Sequence, residues 1–216
     1  MKSIDTILFD LDGVLADTHR WIVSAYEHTA SAHGLQIDRE HLSTLFGQPL
    51  NACYVSLSNG ADGAPFAATH RSFQRENLHL VTLFPGVINL LDTLKRLDYT
   101  LAVVTGRNAP SAEDTLDRLA LRPYFSAIVT ADDTPEHKPN PAPALRALEL
   151  IGKDAKTAIM VGDAPADILC GRAAGCVTVG VTYGFVGEDI VRSEPDYVMR
   201  EPGDLLGVLG ILPPLS

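Results

Sequence analysis

The chain has 216 residues, of which 46% are hydrophobic and 20% are charged, and its 27 acidic and 17 basic side chains give a formal net charge of −10. This length is enough for one large domain or two small ones, and the apolar fraction excludes wholesale disorder. The acidic excess repels polyanions and no basic patch offsets it. The composition therefore argues against nucleic acid as a partner.

The cysteines and the N-terminus indicate the compartment. Cys53, Cys170 and Cys176 lack the paired spacing of a zinc or redox motif, and free thiols suit a reducing cytosol. Asp5 and Asp10 interrupt the N-terminus before it could act as a signal peptide. No other stretch approaches the roughly 18 apolar residues of a membrane span. The sequence predicts a soluble, cytoplasmic protein without a membrane partner.

The first predicted element is a strand at residues 6–9, a continuously apolar run. The stretch that follows, residues 17–83, has the pattern of helices at 18–32, 38–46 and 65–79, separated by glycine-containing loops. Helices inserted after a first strand indicate a small accessory lobe. The pair Pro85-Gly86 marks the return of the chain to the main domain.

Strands and helices alternate from there on. Apolar runs predict strands at 101–104, 127–129, 158–161 and 177–181, each buried on both faces. The intervening helices are indicated by helical spacing or by N-terminal signals: Val87, Leu90, Leu91, Leu94 and Leu97 in the first, Ser111 as N-cap of the second, and Pro141, Leu145 and Leu148 in the third. This alternation predicts an α/β fold with a parallel sheet and helices on both of its faces.

Polar side chains follow four of the predicted strands, at the edge where open α/β sheets bind their ligands. In strand order they are Asp10 and Asp12, then Thr105 and Arg107 on either side of Gly106, then Lys138, and finally Asp163 and Asp167. Four carboxylates converge only around a compensating cation, and Mg²⁺ is the usual ion where phosphate is also bound. The Lys138 ammonium and the Thr105 hydroxyl would favour an anionic substrate. The set fits phosphoryl transfer.

The first two carboxylates fit different roles. Asp10, nearest the strand end, could attack phosphorus as a covalent nucleophile, and Asp12 could protonate the leaving oxygen and later deprotonate water. Each motif taken singly has a structural alternative as a turn, a helix cap or a surface lysine. Their joint occurrence at consecutive strand ends favours a site.

The motifs, in this order, resemble those of the haloacid dehalogenase superfamily: FDLDGVL at 9–15, VVTG at 103–106, Lys138-Pro139, and VGD at 161–163 followed by Asp167. The resemblance implies a Rossmann-like catalytic core at 1–16 and 84–216 and a helical cap domain at 17–83. It implies Mg²⁺-dependent phosphate ester hydrolysis through an aspartyl-phosphate on Asp10. The implied metal ligands are the carboxylates of Asp10 and Asp163 and the main-chain carbonyl of Asp12, with Asp167 binding a metal-bound water or holding Lys138.

Within that family, the sequence favours a phosphatase. Asp12 argues against dehalogenation, because a halide leaves without a proton. Residues 17–83 contain no lysine for the Schiff base of phosphonate cleavage, and Ile22 stands where β-phosphoglucomutase-like relatives usually have a histidine. Residues 45–50 and 81–87 resemble the phosphoglycolate phosphatase and pyrophosphatase branch.

The predicted partner is a small phosphorylated metabolite, such as phosphoglycolate, because a cap excludes water and bulky molecules. Candidates to contact the substrate are Gly106, Arg107, Arg20, Gln48 and Arg71. The alternatives are an inorganic pyrophosphatase or a phosphomutase of the same fold and, more remotely, a non-catalytic phosphate-binding regulator. The sequence is compatible with a monomer and with a homodimer.

Overall fold

The structure, a computed structural model, describes residues 4–37, 42 and 50–211. Its internal contacts divide the chain into two compact units. The first, here called the sheet unit, comprises Met1–Asp17 and Leu83–Ser216, and the second, the helical unit, comprises Thr18–Thr82. The helix predicted at 38–46 lies outside the described residues, apart from Leu42.

The described strands and helices include the predicted ones in their predicted order, together with three short strands, at 16–17, 82–83 and 197–199, that were not predicted. The strands are β1 (Thr6–Phe9), β2 (Ala16–Asp17), β3 (Thr82–Leu83), β4 (Thr100–Val104), β5 (Ala127–Val129), β6 (Ala158–Gly162), β7 (Val177–Val181) and β8 (Tyr197–Met199). The α-helices are α1 (His19–His33), α2 (Leu50–Leu57), α3 (Ala64–Glu76), α4 (Val87–Arg96), α5 (Ala109–Arg118), α6 (Ala142–Ile151), α7 (Pro165–Ala174) and α8 (Leu205–Val208).

Six strands of the sheet unit form one parallel sheet in the order β5-β4-β1-β6-β7-β8, while β2 and β3 pair separately. Strand β1 therefore lies in the middle, with Phe9 opposite Val103 of β4 and Val161 of β6. The chain winds outward from β1 in both directions. The predicted α/β class with a parallel sheet is confirmed.

Both faces of the sheet are buried, which explains the continuously apolar strands. On one face a single cluster joins strand residues to α6 and α7; it includes Leu8, Ala102, Met160, Ala144, Leu148 and Cys170. Side chains alternate along a strand, so Ile7 and Phe9 point to the opposite face, and both are buried there.

Three details of the helices differ from the sequence prediction. Helix α5 is capped by Asn108, whose side chain accepts a hydrogen bond from the Ser111 amide, so Ser111 is not the N-cap. Helix α4 ends at Arg96, which leaves Leu97 exposed. In α6 the helical spacing predicts Leu145 and Leu148 on one apolar face. The structure buries Leu148, which is 3% exposed, but leaves Leu145 46% exposed.

The helical unit has an apolar core of its own. Helices α1, α2 and α3 pack around a cluster that includes Tyr26, Leu42, Cys53, Tyr54 and Ala67. The Tyr54 hydroxyl lies 2.8 Å from Nδ1 of the buried His70, which satisfies both polar groups inside this core. Helix α2 was not predicted from the sequence. Among the described residues, no helix combines the length and the apolar composition that crossing a bilayer requires.

The two leucines of α6 provide a matched test of the packing. We expect Leu148→Ala to lower the free energy of unfolding by about 3 kcal/mol, because it leaves a cavity between α6 and the sheet. Leu145→Ala, the same change on the exposed side of the same helix, should cost less than about 1 kcal/mol. Urea unfolding followed by circular dichroism measures both. Equal losses of unfolding free energy in the two variants would contradict the assignment of Leu148 to the buried face of α6.

Candidate active site

The middle of the sheet brings the ends of three strands together. Asp10 directly follows β1, Thr105 follows β4 and Asp163 follows β6, and β1 is paired with both of the other strands. Backbone hydrogen bonds continue beyond the strands, from Asp10 N to Val161 O at 2.9 Å and from Thr105 N to Val129 O at 2.9 Å. This is the point where the strand order reverses, the usual ligand site of such sheets.

Lys138, from the loop between β5 and α6, joins the strand ends. Its Nζ donates hydrogen bonds to Asp10 Oδ1 at 2.9 Å, Asp167 Oδ1 at 2.6 Å and Val104 O at 3.2 Å. The lysine side chain is only 9% exposed. Burial by itself would lower the pKa of Lys138, but the carboxylates of Asp10 and Asp167 raise it above its usual value. The ammonium is therefore a permanent charge that fixes these two carboxylates.

Three buried carboxylates, those of Asp10, Asp163 and Asp167, each place one oxygen within 4.8 Å of the others. Burial raises the pKa of both Asp10 and Asp163, and repulsion from Asp167 raises it further, while Lys138 opposes the shift. One ammonium does not balance three carboxylates. The clustered oxygens are the ligands that a hard divalent cation such as Mg²⁺ prefers. The group is therefore able to hold a metal ion.

Asp163 is held by two close approaches of the backbone. Its Oδ2 accepts a hydrogen bond from the Phe185 amide at 2.7 Å, in the loop after β7. A Cβ on Gly13, which has φ +73°, would lie 2.0 Å from Asp163 Oδ2, and one on Gly184 would lie 2.3 Å from Asp163 Cβ. Gly13 belongs to the FDLDGVL motif, whereas Gly184 and Phe185 were not predicted from the sequence. They lie in the loop after the fifth predicted strand, 177–181, where the strand-end rule also applies.

Asp12 lies beside a different cation. Arg107 Nε donates to Asp12 Oδ2 at 2.7 Å and Nη2 donates to Asp12 Oδ1 at 2.5 Å. The Arg107 amide also donates to the Thr105 hydroxyl at 3.2 Å, which links the loop after β4 to this pair. Arg107 is a sequence-based candidate to contact the substrate, and in the structure its guanidinium is engaged with Asp12.

The remaining candidate residues are dispersed. Gly106 is exposed between Thr105 and Arg107. Arg20 is exposed on α1 and Arg71 is half-buried on α3, both within the helical unit. Gln48 and most of the 45–50 segment lie outside the described residues. Of the two roles considered for Asp167, contact with Lys138 is the one present here. The substrate contacts of Arg20, Gln48 and Arg71 stay predictions.

Fold and site together define an α/β protein with a carboxylate–lysine cluster at the switch point of its sheet. Residues 7–181 match the family described as haloacid dehalogenase-like hydrolase. The chain belongs to this family, as the resemblance of its motifs predicts.

Individual relatives match over almost the whole chain. Pyrophosphatase PpaX of Bacillus velezensis is 34% identical over 213 residues, which cover 97% of this chain and 98% of that protein. Among solved structures, a haloacid dehalogenase-like hydrolase of Streptococcus pneumoniae superposes with a TM-score of 0.85 at 27% identity, covering 96% of this chain and 99% of that one. A predicted phosphoglycolate phosphatase from Haemophilus somnus gives a TM-score of 0.87, also at 27% identity, with the same coverage of both chains, 96% and 99%.

The close approach of Gly13 to Asp163 can be tested with a metal-binding readout. Gly13→Ala places a methyl group against the Asp163 carboxylate, so we expect Mg²⁺ affinity to fall by about tenfold or more in isothermal titration calorimetry. Gly152→Ala is the matched control, because Gly152 has a similar φ of +66° but nothing within 4 Å of an added Cβ. Both variants bear backbone strain, and only the first should lose affinity. Equal affinities in the two variants would contradict the role given to Gly13.

Proposed function

We propose that this chain is a Mg²⁺-dependent phosphatase that hydrolyses a small phosphorylated metabolite through an aspartyl-phosphate on Asp10. The observation that carries the proposal is the buried ion pair of Lys138 with Asp10, beside two further buried carboxylates at the switch point of the sheet. Membership of a hydrolase family supports it. In this proposal residues 1–16 and 84–216 are the catalytic core, and residues 17–83 are the cap domain that the family resemblance implies.

The donor set fits Mg²⁺, because it consists of carboxylate oxygens gathered within 4.8 Å of one another. The carboxylates of Asp10 and Asp163 and the main-chain carbonyl of Asp12 would hold the ion, with Asp167 binding a metal-bound water or holding Lys138. When bound, Mg²⁺ supplies the charge that neutralises these carboxylates and polarises the phosphoryl oxygens. Without it, the excess negative charge opposes the entry of a phosphate.

In the first half-reaction, a carboxylate oxygen of Asp10 attacks phosphorus while the bond from phosphorus to the leaving oxygen breaks. The electron pair of that bond goes to the leaving oxygen, which takes a proton from Asp12. Lys138 holds Asp10 Oδ1 through its hydrogen bond and so limits rotation of the nucleophile. The Thr105 hydroxyl and the Lys138 ammonium are the proposed donors to the transferred phosphoryl group.

In the second half-reaction, water attacks phosphorus and the bond from phosphorus to Asp10 breaks. Its electron pair returns to the Asp10 carboxylate, and Asp12 accepts a proton from the attacking water. The products are inorganic phosphate and the enzyme in its starting state. Asp12 thus acts as acid in one half-reaction and as base in the other.

The covalent role of Asp10 can be tested by replacing its carboxylate with an amide of the same size. We expect Asp10→Asn to lower the Mg²⁺-dependent hydrolysis of p-nitrophenyl phosphate by at least about a thousandfold, because the nucleophile is lost. Asp114→Asn, an exposed position on α5, should keep wild-type activity. Intact-protein mass spectrometry should detect a phosphoryl adduct in the wild type and none in Asp10→Asn. Full activity of Asp10→Asn would rule out the covalent mechanism.

A second candidate function is the hydrolysis of inorganic pyrophosphate. It is favoured by the relative named pyrophosphatase, which aligns with this chain over almost its whole length. The chemistry assigned to Asp10 and Asp12 applies unchanged, with phosphate in place of an alcohol as the leaving group. The two candidates therefore differ in the contacts to the leaving group and not in the carboxylate cluster.

A substrate panel separates these candidates. We expect pyrophosphate or phosphoglycolate to exceed sugar phosphates and nucleotides in kcat/KM by about tenfold or more, because a cap domain favours small substrates. The panel also addresses the phosphomutase alternative, which predicts conversion of one sugar phosphate into its isomer. A preference for nucleotides would contradict the small-substrate proposal. Binding of phosphate without turnover of any substrate would instead favour the non-catalytic regulator.

A further inference from the structure

Arg107 presents all three guanidinium nitrogens to partners within the sheet unit. Nε and Nη2 donate to the two oxygens of Asp12, while Nη1 donates to the Thr115 hydroxyl of α5 at 2.6 Å. Nη1 also approaches the carbonyl and the hydroxyl of Ser111 at 3.4 Å. The arginine side chain is 9% exposed and that of Asp12 is 17% exposed. The arginine is thus anchored by a helix on one side and meets a carboxylate with two parallel bonds on the other.

Such a fork fixes orientation more strictly than a single charge does, because the guanidinium is planar and its N–H directions are rigid. Asp12 needs this support, since it lies in a turn whose next residue, Gly13, has a φ of +73°. The Lys138 ammonium donates to Asp10 and Asp167. Arg107 therefore fixes the Asp12 carboxylate by hydrogen bonds, as Lys138 fixes the Asp10 carboxylate.

We propose that Arg107, anchored by Thr115, is a positioning residue that holds the Asp12 carboxylate for its action on water in the second half-reaction. The proposal rests on the function proposed above. The two N–H donors, one to each oxygen, fix the plane and the orientation of the Asp12 carboxyl group, which accepts a proton when water attacks the phosphoenzyme. Thr115 is fully buried, which keeps the far side of the guanidinium from turning.

The kinetic signature follows from the two half-reactions. With an activated aryl phosphate the leaving group needs no proton, so kcat reports hydrolysis of the phosphoenzyme, whereas kcat/KM reports its formation. Loss of the Arg107 fork should slow only the hydrolysis. A purely structural role would not lower kcat and KM together, and a substrate-binding role would raise KM.

The test uses the full chain with Mg²⁺ and 2,4-dinitrophenyl phosphate. For Arg107→Ala we expect kcat to fall by about 10- to 100-fold and KM to fall with it, leaving kcat/KM within about twofold of wild type. The phosphoenzyme should accumulate in rapid-quench mass spectrometry. Arg107→Lys keeps the charge without the fork and should recover only part of the rate. Thr115→Val leaves Asp12 and Arg107 in place. It should lower kcat and KM together by about fivefold, with kcat/KM unchanged.

A second arginine–threonine pair of the sheet unit supplies the controls. Arg96 Nη2 donates to the Thr93 hydroxyl at 2.9 Å on the exposed side of α4. Arg96→Ala and Thr93→Val should keep wild-type kinetics, which accounts for any general effect of losing such a pair.

The outcomes separate this inference from the proposed function. A raised KM with unchanged kcat in Arg107→Ala would overturn it in favour of substrate binding, and wild-type rates in Arg107→Lys would overturn the need for a fork. If Arg107→Ala does not fold, an unchanged kcat in Thr115→Val overturns it. A wild-type enzyme that turns over without any adduct on Asp10 would overturn the proposed function, and this inference with it. An adduct in the wild type that fails to accumulate in Arg107→Ala would overturn the inference alone.

Discussion

The ion pair between Lys138 and the carboxylates of Asp10 and Asp167 is the constraint on which the site depends. The lysine comes from the loop after β5, and its two partners follow β1 and lie in the first turn of α7. Removing one partner of a buried ion pair typically costs about 3–5 kcal/mol, so each of these three segments contributes to holding the others in place. The order of the central strands brings them to one edge. The ion pair therefore ties the topology of the sheet to the geometry of the site.

Bringing Asp163 to the same edge works against stability in the absence of metal. Its carboxylate lies against the backbone at Gly13 and Gly184, where no side chain would fit, and faces two further carboxylates. The Phe185 amide offsets part of the repulsion. Such an arrangement is typical of a functional site, in which a rigid scaffold maintains charges that would not otherwise converge. The close approach of the Asp163 carboxylate to the backbone also explains why positions 13 and 184 are glycines.

Local patterns were sufficient to predict β1 and β4 to β7 and the residues that follow them, because strands buried on both faces have a distinct composition. The short strands β2, β3 and β8 were not predicted. The same patterns did not reveal which cation serves which acid. Lys138 meets Asp10, and Arg107 meets Asp12, only because β5, β4 and β1 are neighbours in the sheet, and neighbourhood of strands is not a local property. The N-cap of α5 shows the same limit, since Asn108 and Ser111 are both good capping residues and their spacing does not distinguish them.

The pairing of each acid with its own cation gives a physical reason why two carboxylates two residues apart can perform different chemistry. Asp10 is fixed by a buried ammonium that also binds Asp167, in surroundings suited to a nucleophile shielded from water. Asp12 is the more exposed of the two, at 17% against 10%, and its partner is a guanidinium anchored on α5. The role proposed for Asp12, proton exchange with a leaving group and with water, needs that access. The two hydrogen bonds from Arg107 define where the Asp12 carboxylate lies.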